Sequence, residues 1–138
     1  MAMDMGDEHI SQIVDGLKDE IHPYLLVIFG SYAKGLIRDD SDIDIAYLSD
    51  KNYSSYEKFM AAQQLAGILD REIDLLDFNT ASTVMQAQII SSGKVIYCTD
   101  ELRRMNFYMR AFKEYALLNE ERAAILLDIE RRGSVYEE

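Results

Sequence analysis

The sequence predicts an α/β fold: a small sheet with helices on one side and a C-terminal helical extension. Three observations lead there. Short apolar runs alternate with stretches of helical spacing, two aspartates alternate with isoleucines directly after a glycine-containing turn region, and no repeat, low-complexity tract or long linker interrupts the 138 residues. A chain of this length buries one core, so a single domain is expected over 1–138, with its core at about 7–98 and a helical segment at about 100–132.

The elements follow in order. Ile10, Ile13, Val14, Leu17 and Ile21 recur at helical spacing, which predicts a helix from about Asp7 to Glu20 that stops near His22-Pro23. Tyr24-Leu25-Leu26-Val27-Ile28-Phe29 is almost wholly apolar, as in a strand buried on both faces, and Gly30 ends it. Asp42 to Tyr47 alternates and reads as the next strand. Ser54-Ser55 can cap a helix whose apolar face is Phe59, Ala62, Ala66 and Leu69. Arg71 to Phe78 returns the chain to the sheet. A helix from about Ala81 to Ser91 ends at Gly93, a C-terminal cap, and Val95-Ile96-Tyr97-Cys98 is the last strand.

If continuous, the stretch from Asp100 to Arg132 is about 48 Å long, more than a small domain is wide, so it is expected to break or project. Met105, Tyr108, Met109, Phe112, Tyr115 and Ala116 form a stripe expected to pack on the sheet. Ile125, Leu126 and Ile129 form a second stripe, beyond Asn119-Glu120-Glu121-Arg122, expected to meet a partner. The polar end, Gly133 to Glu138, is expected to fray.

The chemistry is concentrated in Gly30 to Asp44. A Gly-Ser pair leaving a buried strand lets backbone approach an anion, while the Ser31 hydroxyl and following N–H groups can donate to phosphate oxygens. Asp42 and Asp44, two residues apart on a strand, point to the same side, and Ile43 and Ile45 anchor the opposite side. Paired carboxylates repel unless a cation lies between them, and oxygen-only ligands favour Mg²⁺ completed by waters and substrate phosphates. The third carboxylate expected from a neighbouring strand is Asp74, with Ile73 and Leu75 on the reverse face. Glu72 is the fallback, and Asp77 faces the other way.

Composition bounds the partners. A net charge of −11 disfavours nucleic acid as the main substrate, since the long-range field repels a phosphate backbone. Lys34 and Arg38 can offset that field locally for a nucleotide. Cys98 is the single cysteine and excludes an internal disulfide, and His9 and His22 are too few for a zinc site. With no stretch of about 18 apolar residues, no signal-like segment and no basic leader, a cytoplasmic, unprocessed protein without membrane contact is expected.

Gly30-Ser31, ten intervening residues and Asp42-Ile43-Asp44 together resemble the signature of the DNA polymerase β-like nucleotidyltransferase superfamily, in its minimal (MNT) branch. The resemblance runs from about Leu25 to Ile129. Arg71 to Phe78, Ala81-Ser82-Thr83-Val84 and Glu120-Glu121-Arg122-Ala123-Ala124-Ile125 are similar to MntA-type antitoxins, which are paired with HEPN-domain (HepT) ribonuclease toxins. The resemblance implies a minimal polymerase β-like fold with a small mixed sheet. It also implies transfer of AMP from ATP to a toxin tyrosine, with release of pyrophosphate and silencing of the toxin. Asp42, Asp44 and Asp74 then become the catalytic and metal-binding residues for one or two Mg²⁺ ions. Gly30, Ser31, Lys34, Arg38 and Ser41 become the nucleotide-binding residues, and a hetero-oligomer with the toxin is expected.

Two other readings stand beside this one. A small-molecule nucleotidyltransferase of the antibiotic-modifying kind needs a second wall for its acceptor pocket, and a non-catalytic antitoxin acts by binding alone. A neighbouring gene for a small helical protein with an Arg-x4-His motif favours the antitoxin.

Overall fold

The computed structural model describes residues 5–33 and 42–136. In chain order it contains α1 (Met5–Ile21), β1 (Pro23–Phe29), α2 (Gly30–Ala33), β2 (Ile43–Ser49), α3 (Ser55–Leu69), β3 (Ile73–Asp77), a 3-10 turn (Phe78–Thr80), α4 (Thr83–Ser92), β4 (Lys94–Cys98) and α5 (Glu101–Tyr136). The four strands form one sheet in the order β3-β2-β1-β4. β1 is antiparallel to both β2 and β4, whereas β2 and β3 are parallel, so the sheet is mixed.

Side chains alternate across this sheet and build two cores. On one face Leu26, Ile28, Ile43, Ile45, Tyr47 and Ile73 pack beneath Ile13, Leu17 and Ile21 of α1 and Ala61, Ala62, Leu65 and Leu69 of α3. On the other, Leu25, Val27, Ala46 and Leu48 pack against Phe78, Ile89 of α4 and Phe107 of α5. The fold class matches the expectation, but helices on one side alone is corrected: α4 and the first turns of α5 cover the second face. The reason is legible in β1, whose every position from Tyr24 to Phe29 is apolar or aromatic, so both of its faces need a cover.

Local chemistry sets the element boundaries. Ser54 caps α3 in a reciprocal box, with Glu57 N–H donating to its hydroxyl (3.1 Å) and its own N–H donating to the Glu57 carboxylate (2.9 Å). The buried face of α3 is Ala61, Ala62, Leu65 and Leu69, and Phe59, expected on it, is 57% exposed. Small alanines there let α3 lie close to α1 and the sheet, which leaves no space for a phenylalanine. Ser82 caps α4 by accepting from Met85 N–H at 3.1 Å. Gly93 closes α4, its N–H donating to Ile89 O at 2.7 Å. Its backbone is extended, so glycine is required for space: a Cβ there would stand 2.5 Å from Ile89 O and 2.7 Å from Val27 Cγ1.

The C-terminal segment projects rather than breaks. α5 runs for 36 residues without interruption, about 54 Å at the usual rise. Its inward line is Arg104, Phe107, Tyr108, Ala111, Tyr115 and Leu118, of which Phe107 and Ala111 are buried. The expected first stripe is thus only partly right: Tyr108 and Tyr115 are half-buried, but Met105, Met109 and Phe112 are exposed. Two contacts fix the phase. Phe107 meets Phe78 edge-on at 4.8 Å between ring centroids, and Arg103 lies 3.9 Å over the Tyr24 ring while pairing with Asp50 at 2.7 Å. Residues 119–132 are exposed, including Ile125, Leu126 and Ile129. Among the described residues no helix is long and apolar enough to cross a membrane.

Phe78 sits fully buried at the centre of the second core. Phe78→Ala should therefore lower stability by about 3–5 kcal/mol, whereas Met109→Ala, on the exposed side of α5, should stay within about 0.5 kcal/mol of wild type. Denaturant midpoints of the two variants measure the contrast.

Candidate active site

Three adjacent strands bring the acidic residues to one end of the sheet. Phe29, the last residue of β1, pairs with Asp44 of β2, and Asp44 pairs with Asp74 of β3. Ile43 and Ile45 point into the α1–α3 core, as does Ile73, so Asp44 and Asp74 share the opposite face. Asp44 is half-buried, while Asp42, just before β2, and Asp74 are exposed. Burial, then the charge and hydrogen bond of Asp74, then the charge of Asp42 push the Asp44 carboxyl up to about 6.

Gly30 stands against Asp44. Its φ of +75° lies in the left-handed region, and a Cβ built on it would lie 2.4 Å from Asp44 Oδ2. Glycine is needed here for two reasons, backbone conformation and the carboxylate pressed against it. The anion that the bare backbone approaches is thus first the protein's own. Ser31 belongs to α2; its side chain, together with Lys34, Arg38 and Ser41, lies outside the described residues.

The other acids fall as the alternation predicts. Glu72 is exposed just ahead of β3, and its backbone carbonyl accepts from Ile43 N–H at 2.9 Å. Asp77 faces the other way and caps the 3-10 turn, accepting from Asn79 N–H at 3.0 Å. It lies near Tyr47, whose hydroxyl is pushed up to about 12 by burial and then by the Asp77 charge.

A cleft of about 460 Å³ opens beside Gly30 and Asp44. Its far wall comes from α4 and α5, through Gln88, Ser91 and Ser92 on one and Phe112 and Tyr115 on the other. Sequence reasoning assigned Phe112 and Tyr115 to packing and gave α4 no role. The only signal was the pair of serines before Gly93, which ordinary helix ends also carry. Among the described residues no group of three or more His, Cys, Asp or Glu side chains is arranged to hold a metal ion. The acids therefore form no closed protein cage. What they offer is an all-oxygen donor set, the kind of place a hydrated divalent cation completed by substrate phosphate can occupy.

Comparison with known proteins agrees with this geometry. The family described as polymerase beta, nucleotidyltransferase, matches residues 11–102. The protein adenylyltransferase MntA of Shewanella oneidensis is 35% identical over 120 residues, covering 86% of each chain. A chain from a crystal structure of a toxin–antitoxin with AMP-PNP superposes with a TM-score of 0.77 at 35% identity, covering 87% of this chain and 97% of that one. A second, from the tri-AMPylated Shewanella oneidensis HEPN toxin in complex with MNT antitoxin, gives 0.75 at 32% identity over 91% and 98%. A minimal nucleotidyltransferase structure only 19% identical still gives 0.54, which speaks to the fold alone. With the glycine turn, the strand-borne acids and the strand order all in place, the chain belongs to the polymerase β nucleotidyltransferase family, in the group that contains MntA.

Proposed function

We propose that this chain is an antitoxin-type protein adenylyltransferase, which transfers AMP from ATP to a tyrosine of a cognate HEPN ribonuclease toxin and so neutralises it in the cytoplasm. The observation that carries the reading is the placement of Asp44 opposite Asp74, with Gly30 pressed against Asp44. Kinship supplies the acceptor: a 35% identical relative is a protein adenylyltransferase, and a structural relative was solved with a tri-AMPylated HEPN toxin.

In the proposed reaction the tyrosine oxygen attacks the α-phosphorus of ATP, the bond from that phosphorus to the bridging oxygen of the β-phosphate breaks, and pyrophosphate leaves. The phenolic proton, with an ordinary pKa near 10, passes to Asp74 as general base. Asp42 and Asp44 would hold Mg²⁺, which would supply positive charge to offset the negative charge of the triphosphate and of the leaving pyrophosphate. Gly30 and Ser31 donate to phosphate oxygens through the turn. Lys34, Arg38 and Ser41, in the segment that joins α2 to β2, complete the nucleotide contacts. The cleft toward α4 and α5 takes the nucleotide.

The small-acceptor alternative gains one observation, since α4 and α5 do supply a wall. That wall stands beside Gly30 and β1, the side of the leaving group, so the observation favours a nucleotide there and a protein acceptor at Asp74. The exposed apolar tail of α5 supports a protein partner as well, for Ile125, Leu126 and Ile129 have no core to enter.

Mass spectrometry of the HEPN protein after incubation with ATP and Mg²⁺ should show added adenylate with wild type and none with Asp42→Asn combined with Asp44→Asn. Circular dichroism should show the double variant folded, because the change removes mutual repulsion and no core contact. An equal adenylate gain with both proteins refutes the site.

Asp74→Asn should slow transfer by about 10²-fold or more, as loss of a positioned base commonly does. Asp77→Asn should stay near wild type, because asparagine also caps the turn. Initial rates at saturating ATP decide between them.

Deleting residues 120–138 should leave ATP affinity unchanged, since the buried part of α5 ends well before them. Affinity for the HEPN protein should fall about tenfold or more, equivalent to ~1.4 kcal/mol, in calorimetric titration.

A further inference from the structure

In-line phosphoryl transfer places the attacking and leaving oxygens on opposite sides of phosphorus. Here the chemistry is laid out across three neighbouring strands: the glycine turn ends β1, Asp42 and Asp44 belong to β2, and Asp74 belongs to β3. With pyrophosphate leaving over β1, the acceptor hydroxyl arrives from the side of β3, which is the edge of the sheet.

That edge is open in a specific way. Ile43 N–H donates to Glu72 O, and Ile43 pairs with Ile73 in the parallel ladder. The backbone groups of Glu72, Asp74 and Leu76 therefore turn toward β2, and those of Ile73, Leu75 and Asp77 turn outward. Alongside lies a groove of about 230 Å³ between β3 and α3, with Ala62, Ile73 and Leu75 at its base, Lys58 and Phe59 on its helical side and Asp74 in its wall. Ser55, Lys58, Phe59 and Ala62 have the i, i+3, i+4, i+7 spacing of one helix face. Phe59 is the residue that the amphipathic pattern puts in the core and that the fold leaves 57% exposed.

We propose that this groove docks the acceptor: an extended segment of the HEPN protein lies along the open edge of β3, an apolar residue of that segment covers Phe59, and its tyrosine hydroxyl is directed to Asp74. The proposal rests on the adenylyl-transfer reading given above. Continuity decides the occupant. The groove shares Asp74 with the reacting acids, and because successive side chains of an added strand alternate between faces, a segment that covers Phe59 on the α3 face can turn its next residue to the opposite face, where the Asp74 carboxylate stands. An unpaired strand edge beside an apolar pocket is recognised by extended backbone with alternating side chains, main-chain hydrogen bonds giving affinity and the pocket giving selectivity.

Steady-state adenylylation of the purified HEPN protein tests it. Phe59→Ala should raise KM for the HEPN protein about tenfold or more, the scale of a buried aromatic anchor, and leave KM for ATP unchanged. Ile68→Ala serves as the control, since Ile68 is equally exposed on α3 but outside the groove; it should change neither constant. Hydrogen exchange at the Leu75 and Asp77 amides should slow when the HEPN protein is added. If wild type transfers AMP but Phe59→Ala keeps the wild-type KM for the HEPN protein, if Ile68→Ala shows the same rise, or if the two amides exchange at unchanged rates, the groove is not the docking site. If wild type transfers no AMP to the HEPN protein, the adenylyl-transfer reading itself fails, a result distinct from those three.

Discussion

The arrangement turns on the mutual repulsion of carboxylates set at neighbouring positions on adjacent strands. Asp44 and Asp74 pair across the parallel β2–β3 ladder, with Asp42 adding charge from the same side. Such a group persists only where the backbone beneath it is fixed, and here it is fixed by Ile43, Ile45 and Ile73 packed into the α1–α3 core. Gly30 closes the other side, its missing Cβ allowing the end of β1 to lie against Asp44. Burial and that repulsion hold the Asp44 carboxyl up at about 6, and the same tension makes the place suitable for a divalent cation, which would relieve it and bring a phosphate with it.

Burying β2 under one layer would leave the apolar second face of β1 and β2 in water. The chain resolves this with α4 and the start of α5, and the choice has a functional consequence. The helices that complete the second core, through Ile89 and Phe107, also carry Gln88, Ser91, Ser92, Phe112 and Tyr115 to the cleft beside Gly30. Stability and pocket formation are thus the work of the same two elements. Once past Leu118, α5 has left the sheet, and its remaining apolar residues face solvent.

Exposed apolar side chains lie on the outer side of α3, along the solvent side of α5 from Leu102 to Leu117, and on the tail of α5. Lone exposed apolar residues are ordinary on protein surfaces, but Phe59 beside an open strand edge and a run of Ile125 to Ile129 on a projecting helix are groups. Their separation suits a partner that is gripped at one place and presented to the reacting acids at another.

Sequence alone determined what depends on local periodicity and local backbone chemistry. Asp42 and Asp44 share a side because strands alternate, Asp74 rather than Asp77 joins them for the same reason, and Ser54 and Gly93 mark helix ends through capping. Gly30 was legible as a position that excludes a side chain. The tertiary structure decided what depends on which elements meet: the strand order that sets Asp74 beside Asp44, the layer to which α4 belongs, and the wall of the cleft. It also decided the phase of α3 and α5. Both helices carry apolar residues on most sides, so periodicity left several faces nearly equivalent. Packing through the small Ala61 and Ala62, and the edge-on contact of Phe107 with Phe78, selected one face of each and left Phe59, Met105 and Met109 in solvent.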